Sequence, residues 1–305
     1  MPFGVLLLGP PGSGKSTLTA ALLRCAAAEG RPAVAVNLDP ANDAPPYECA
    51  VDVTSLIATA DAASAFGLGP NGSLLYAVDF LAANADWLSS SLEPSLSRGA
   101  FVIIDCPGQA ELYTSHDALS RIVRALEHGD VGLRLCALHL VDAHHAADPA
   151  KFIAASLLSL QAMVRLELPH INVLSKADQT HHFDGAPYGI DSFTEMLDVR
   201  ALLPLAVSDD EEEGGGVGGE GSVASLIERT PGGGLAASRA ALSRLAPRSA
   251  KFLAKFRRLN EALAEVIQDF NLVSYLPASA GDDASVRALL AAADHAVGYV
   301  RTAPR

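Results

Sequence analysis

Phe3-Gly4-Val5-Leu6-Leu7-Leu8 runs directly into Gly9-Pro10-Pro11-Gly12-Ser13-Gly14-Lys15-Ser16-Thr17, and this junction decides how the chain is read. An apolar run of strand length meets a G-x-x-x-x-G-K-[ST] loop, and helix-forming residues follow from Leu18 to Ala28. Glycines let consecutive backbone N–H groups turn inward around phosphate oxygens, and a helix N-terminus adds partial positive charge. Lys15 has the reach for β- and γ-phosphates, and the Ser16 hydroxyl is the kind of ligand that Mg²⁺ takes. Gly12, Ser13, Gly14, Lys15, Ser16 and Thr17 are therefore the expected triphosphate cradle.

Working outward, short apolar runs alternate with longer helical patterns. Strands are predicted at Phe3–Leu8, Ala33–Leu38, Phe101–Asp105, Leu135–Val141, Ile171–Leu174 and Leu272–Leu276. Helices are predicted at Lys15–Glu29, Ser73–Leu96, Ser115–His128, Pro149–Glu167, Ser249–Phe270 and Ala284–Val300. The strands lack period-2 alternation, as parallel strands covered on both faces do. The expected fold is a three-layer α/β P-loop fold with a mainly parallel sheet and its ligand at the strand C-termini. One domain is expected over 1–305, interrupted at 208–234 by an acidic, Gly-rich insertion that buries nothing and reads as disordered.

Composition narrows the function classes. Half of the 305 residues are hydrophobic and the net charge is −13, which argues against a surface for duplex nucleic acid. The one basic cluster, Lys251, Lys255, Arg257 and Arg258, reads as a solvated helix face. The four cysteines are widely spaced and form neither a zinc pattern nor a disulfide framework. With no signal pattern and no run of transmembrane length, a cytoplasmic protein with reduced thiols and no membrane partner is expected. His144 and His145, beside Asp142 and Asp148, are adjacent and point apart, so they read as surface or interface residues rather than a metal site.

Two further stretches carry chemistry. Asp105-Cys106-Pro107-Gly108-Gln109 follows a strand; an acid there can hold Mg²⁺ through water, and the Pro-Gly turn lets backbone approach the γ-phosphate. Ser175-Lys176-Ala177-Asp178 also follows a strand, where guanine-binding proteins usually carry N-K-x-D. Asp178 can accept from guanine N1–H and the exocyclic amine, with the Lys176 stem over the base. Ser175 in place of Asn weakens the expected bracing of this loop. Ala278-Ser279-Ala280 fits a small-residue loop behind the base, with Ala280 in contact.

Gly69-Pro70-Asn71, before the helix predicted from Ser73, completes the set. With it the chain resembles the GPN-loop GTPases, a SIMIBI-type P-loop family named for this tripeptide. The resemblance runs through NLDPAND (Asn37–Asp43), PYECAVDV (Pro46–Val53), LGPNGSLLY (Leu68–Tyr76), ELPHINVLSKAD (Glu167–Asp178) and the closing AADHAVGYV. PYECAVDV together with HLVDAHHAADPAKF (His139–Phe152) is most similar to the second eukaryotic paralogue.

The resemblance implies a dimer in which Asn71 reaches the partner's site and stabilises phosphate charge with a neutral amide. It further implies that Asp39, Gln109 and Glu111 orient and deprotonate the attacking water, with Mg²⁺ held by Ser16 and, through water, by Asp105. Read without the family, Asp39 has as its alternative an N-cap or Asx turn before Pro40, and Glu111 a solvated acid at a helix start. The implied activity is GTP hydrolysis by a dimeric switch. The implied partners are GTP or GDP, sister GPN-loop GTPases and RNA polymerase II subunits, with polymerase III as a further candidate, in polymerase assembly and nuclear delivery. A P-loop kinase for nucleotides or polynucleotide ends, and a GTP-binding scaffold without turnover, are the alternatives.

Overall fold

The computed structural model describes residues 2–147, 149–182, 257–269 and 274–300. The insertion expected at 208–234 lies outside them, as do Lys251, Lys255 and the first part of the Ser249–Phe270 helix. Seven strands form one sheet: β1 (Phe3–Leu8), β2 (Ala33–Asn37), β3 (Cys49–Asp52), β4 (Phe101–Asp105), β5 (Arg134–Asp142), β6 (His170–Ser175) and β7 (Tyr275–Ala278). Their order is β3-β2-β4-β1-β5-β6-β7, and every neighbouring pair is parallel. This is the expected parallel α/β sheet, with β1 at its centre.

Alternation along β1 builds the layers. Val5 and Leu7 pack with Leu18 and Leu22 of α1 (Lys15–Ala28) and with Leu289 and Leu290 of α9 (Asp283–Val297). Leu6 and Leu8 face the opposite way, against α3 (Pro70–Ala83), α4 (Ala85–Leu96) and α6 (Ala118–His128). The other helices are α2 (Thr59–Phe66), α5 (Glu111–Thr114), α7 (Pro149–Leu166) and α8 (Arg257–Asp269). Phe152 and Ile153 of α7 and Ala264 and Ile267 of α8 make a smaller cluster with Val141, Leu174 and Tyr275. No helix among the described residues is long and apolar enough to cross a membrane.

The sequence reading of the elements is corrected in several places, among them the last strand, which runs Tyr275–Ala278 and not Leu272–Leu276. The helix predicted over Ser73–Leu96 is two helices, broken where Asn84 leaves helical geometry at φ −115° and its amide caps the Phe80 carbonyl at 2.8 Å. That break falls inside a continuous apolar pattern and leaves no periodicity signal. The helix predicted from Ser115 starts at Ala118, and the four-residue α5 stands before it. Strand β3 was not predicted; it is a four-residue edge strand, too short for a pattern.

The core holds one pair of groups with a pH consequence. His139 of β5 is fully buried, 5.6 Å from Tyr113 and 5.7 Å from His170 between ring centroids. Neither of its ring nitrogens has a hydrogen-bond partner. Burial pushes the His139 pKa down to about 3 and the His170 pKa down to about 4. Both lie below the unfolded value, so the unfolded chain binds more protons in this interval and stability falls as pH drops below about 6.5. Urea unfolding at about pH 5 should show about 2 kcal/mol lost to His139 alone relative to neutral pH, and His139→Phe should remove that part of the dependence. An unchanged pH dependence in the variant would exclude the assignment.

Candidate functional site

Parallel register brings the chemistry-bearing residues to one edge of the sheet. Leu7 of β1 lies beside Asp105 at the end of β4, and Asn37 of β2 lies on the other side of Asp105. Farther along the edge, Asp142 pairs with Ser175, and Ser175 with Ala278.

The phosphate loop leaves β1 at Gly9, whose φ is +139°. A Cβ there would stand 2.5 Å from the Leu140 carbonyl oxygen and 2.9 Å from Ser13 Oγ, so only glycine makes this exit. Gly14, at φ +93°, starts α1 without a side-chain cap, leaving backbone N–H groups of the first turn to an anion. Lys15 is buried; its Nζ donates to the carbonyls of Gly9 at 3.0 Å and Pro10 at 3.2 Å. Burial lowers its pKa, against the opposing pull of Asp105 and Asp39.

Asp39 adopts the Asx turn that the sequence left open: Oδ1 accepts from Ala41 N at 3.0 Å, and the backbone N donates to Asn37 Oδ1. Its second carboxylate oxygen remains for the site, and burial raises its pKa despite Ala41 and Lys15. Asn37 is fully buried and splits its amide between the Asn42 carbonyl and Asp52 Oδ1, each at 3.0 Å. It shapes the loop that carries Asp39.

Asp105 is buried, and Tyr47 donates its phenol to Oδ2 at 2.8 Å. Burial pushes the carboxyl up, while Ser16, Tyr47 and Lys15 hold it down. The Ser16 hydroxyl is near enough to act on the charge, yet Oδ1 has no partner in hydrogen-bonding geometry. A buried acceptor without a partner beside a serine hydroxyl fits Mg²⁺ and its waters. Gly108 brings the following turn against the phosphate loop: a Cβ would lie 3.0 Å from Pro11 N and Cα and 3.2 Å from Lys15 Nζ.

Gly69 is the N-cap of α3 and Pro70 its first residue, so the GPN tripeptide is a helix start rather than a loop ahead of one. All three residues are exposed. Asn71 Oδ1 accepts from Gln109 Nε2 of the same chain at 3.2 Å. Glu111 is exposed at the start of α5, and no described contact ties it to the phosphate loop.

At the base end, Ser175 Oγ donates to the Val141 carbonyl at 3.2 Å, a brace that the absence of Asn had put in doubt. Lys176 sits in the left-handed region at φ +58° and pairs with Asp142 at 2.6 Å. Asp142 is held below the usual carboxylate range by Lys176 and the His144 N–H, which outweigh its burial. Ala177 and Asp178 open a 3-10 turn, with Asp178 exposed. Ser279 is tied to Ser285 through its N–H and carbonyl, and the Ala280 carbonyl accepts from Arg24 at 3.3 Å. His144 is exposed, and its ring centroid is 6.2 Å from that of His145. Tyr47 and Asn37 were noted only within longer stretches, and Asp142 only beside the histidine pair; none of the three was given a role in the site. Their partners lie 58, 15 and 34 residues away, and no local pattern announces them.

The family described as "Conserved hypothetical ATP binding protein" matches residues 7–299. A "GPN-loop GTPase 2" of Xenopus tropicalis is 39% identical over 297 residues, covering 97% of this chain and 83% of the relative. The Saccharomyces cerevisiae protein of the same name is 34% identical, covering 98% and 76%. "GPN-loop GTPase QQT1" of Arabidopsis thaliana is 35% identical, covering 98% and 86%. A solved structure described as a GTPase in apo form from Pyrococcus abyssi shares the fold at TM-score 0.63 and 20% identity, over 96% of this chain and 97% of that one.

Gly108→Ala tests the packing of the turn on the phosphate loop. The added methyl must displace Pro11 or Lys15, so nucleotide affinity should fall about tenfold while the thermal midpoint changes little. Equilibrium binding of a fluorescent GDP measures it, and unchanged affinity would show that the turn moves freely away.

Proposed function

The chain belongs to the GPN-loop GTPase family and is a GTPase, and from that premise we propose a dimeric switch driven by GTP and Mg²⁺. The observation carrying this reading is the shared sheet edge, where a phosphate loop and a buried acid stand in line with a braced S-K-A-D turn. Lys15 and the first turn of α1 would bind the β- and γ-phosphates, Ser16 would ligate Mg²⁺, and Asp105 would hold one of its waters. Bound there, Mg²⁺ neutralises charge on the phosphates. Asp39 and Gln109 would orient the attacking water, with Glu111 as a further acid beside them and Asn71 donating to phosphate charge from the partner subunit.

Asp178 would read guanine and Ala280 would back the base. Adenine offers no matching donor pair to a carboxylate. The finer role rests on the family resemblance: with sister GPN-loop GTPases, the protein assembles RNA polymerase II in the cytoplasm and accompanies it to the nucleus, with polymerase III as a further candidate client. Pulldown with intact and Lys15→Ala protein, scored for polymerase subunits and GPN-loop partners, tests that role. Loss of subunits from both baits would remove it.

The base reading predicts that ATP does not displace fluorescent GDP at concentrations where GTP does. Asp178→Asn should lower GTP affinity about a hundredfold or more and raise that for xanthosine triphosphate, whose O2 accepts from the new amide. Comparable displacement by ATP would refute guanine selection.

The placement of Asn71 is tested by mixing. Lys15→Ala and Asn71→Ala chains should each be inactive alone, and a mixed dimer regains one complete site if the amide acts across the interface. Single-turnover hydrolysis should then recover to about a quarter of the wild-type amplitude. No recovery in a verified mixed dimer would place the amide in its own chain's site.

A further inference from the structure

We propose that Tyr47 is a positioning residue that fixes the rotation of the Asp105 carboxylate, so that one oxygen stays presented to the Mg²⁺ of the nucleotide site. The inference rests on the reading of Asp105 as the Mg²⁺ anchor.

Asp105 ends β4, and its carboxylate is 1% exposed as a residue, out of reach of bulk water that could stabilise either rotamer. Its two oxygens are treated unequally. Oδ2 receives the Tyr47 phenol at 2.8 Å, and Oδ1 has no hydrogen-bond partner. A carboxylate turns about its last bond in a broad, roughly two-fold well. Without a donor on one side, the two oxygens exchange and the approach angle of any metal-bound water spreads. One short O–H···O⁻ bond removes that freedom and leaves Oδ1 free for a water of the ion.

The position of Tyr47 in the chain supports a dedicated role. It lies between the Asx turn at Asp39 and the start of β3 at Cys49. Among the described residues, 43–48 make no backbone–backbone hydrogen bond, so side chains hold the segment. Along it Asn42, Pro45, Tyr47 and Cys49 are half-buried, and Ala44, Pro46 and Glu48 are exposed. The Asn37 amide anchors the near end at the Asn42 carbonyl, and the phenol anchors the far end at Asp105. From the phosphate loop the Ser16 hydroxyl also acts on Asp105, but that hydroxyl is the expected Mg²⁺ ligand, so the phenol at 2.8 Å is the donor that stays with the acid when the ion is bound.

The test is Mg²⁺ titration of mant-GDP binding to wild-type, Tyr47→Phe and Asp105→Asn protein, with a parallel measurement in EDTA. Loss of a partner that orients a metal-binding group should raise the Mg²⁺ midpoint about tenfold in Tyr47→Phe, with affinity in EDTA unchanged. Asp105→Asn should raise it at least as far. Tyr47→Leu separates ring from hydroxyl: a shift equal to that of Phe assigns the effect to the O–H. A Phe variant with a wild-type midpoint overturns the proposal, as does an equal loss in EDTA, which would mean general damage to the loop. If Asp105→Asn itself leaves the midpoint unmoved, the anchor reading falls and takes the proposal with it. If only Tyr47→Phe is silent, the anchor reading stands and Tyr47 alone is released.

Discussion

Strand β1 is hydrogen-bonded on both edges and covered on both faces, and the chain can leave it in one way. At Gly9 any side chain would strike the Leu140 carbonyl on the neighbouring β5. The sheet therefore dictates the path of the phosphate loop before any ligand is present. Every other functional position follows from register with this strand: Asp105 stands opposite Leu7, Asn37 opposite Asp105, and the base loops continue the same edge through Asp142, Ser175 and Ala278. A one-residue slip in β4 would turn Asp105 to the other face and place the apolar Ile104 at the site. The hydrophobic alternation that builds the two packed layers is thus also what aims the acid.

The same edge gathers three ionisable groups that would each be costly alone. Lys15 is pushed down by burial and Asp105 and Asp39 are pushed up; Lys15 and the two acids reduce each other's penalty, while Asp39 adds to that on Asp105. Lys15 is also held by two carbonyls of its own loop. Such a constellation is poised for a polyanion. Phosphate oxygens bring the charge that Lys15 lacks, and a cation would bring what the two carboxylates lack. The arrangement is prepared for both together more than for either one, which is the electrostatic logic of a metal–nucleotide complex.

What could be read beforehand tracks how local the determining interaction is. Strands β1 and β4 were legible to the residue because an apolar run ends abruptly at Gly9 and at Asp105-Cys106-Pro107. The phosphate loop, the acid and the S-K-A-D turn were legible because their chemistry fixes residue types at fixed spacing. The edge strand β3 was not, because four half-covered residues carry no period. The Asn84 break and the Ala118 helix start are tertiary decisions inside patterns that would run on. Asp39 was read as a catalytic acid with an N-cap or Asx turn as the alternative, and in the fold Oδ1 serves the turn. Ser175 was read as a weakened Asn, because its brace, the Val141 carbonyl, lies on a strand 34 residues away.

The GPN tripeptide shows most clearly how backbone preference serves chemistry. Proline at the first helical position costs nothing there, and it holds Asn71 in the opening turn of α3. The contact with Gln109 engages the oxygen of the Asn71 amide, and its N–H groups are the donors that remain. Donors are what phosphate oxygens require. An exposed neutral amide, however, contributes little against competing water; its worth rises only where water is excluded and the local dielectric falls. Phe66 of α2 and Phe80 of α3 are exposed and stand beside the Tyr76 ring. An uncovered Asn71 is a weak donor, so the role proposed for it in hydrolysis requires that water be excluded from the start of α3.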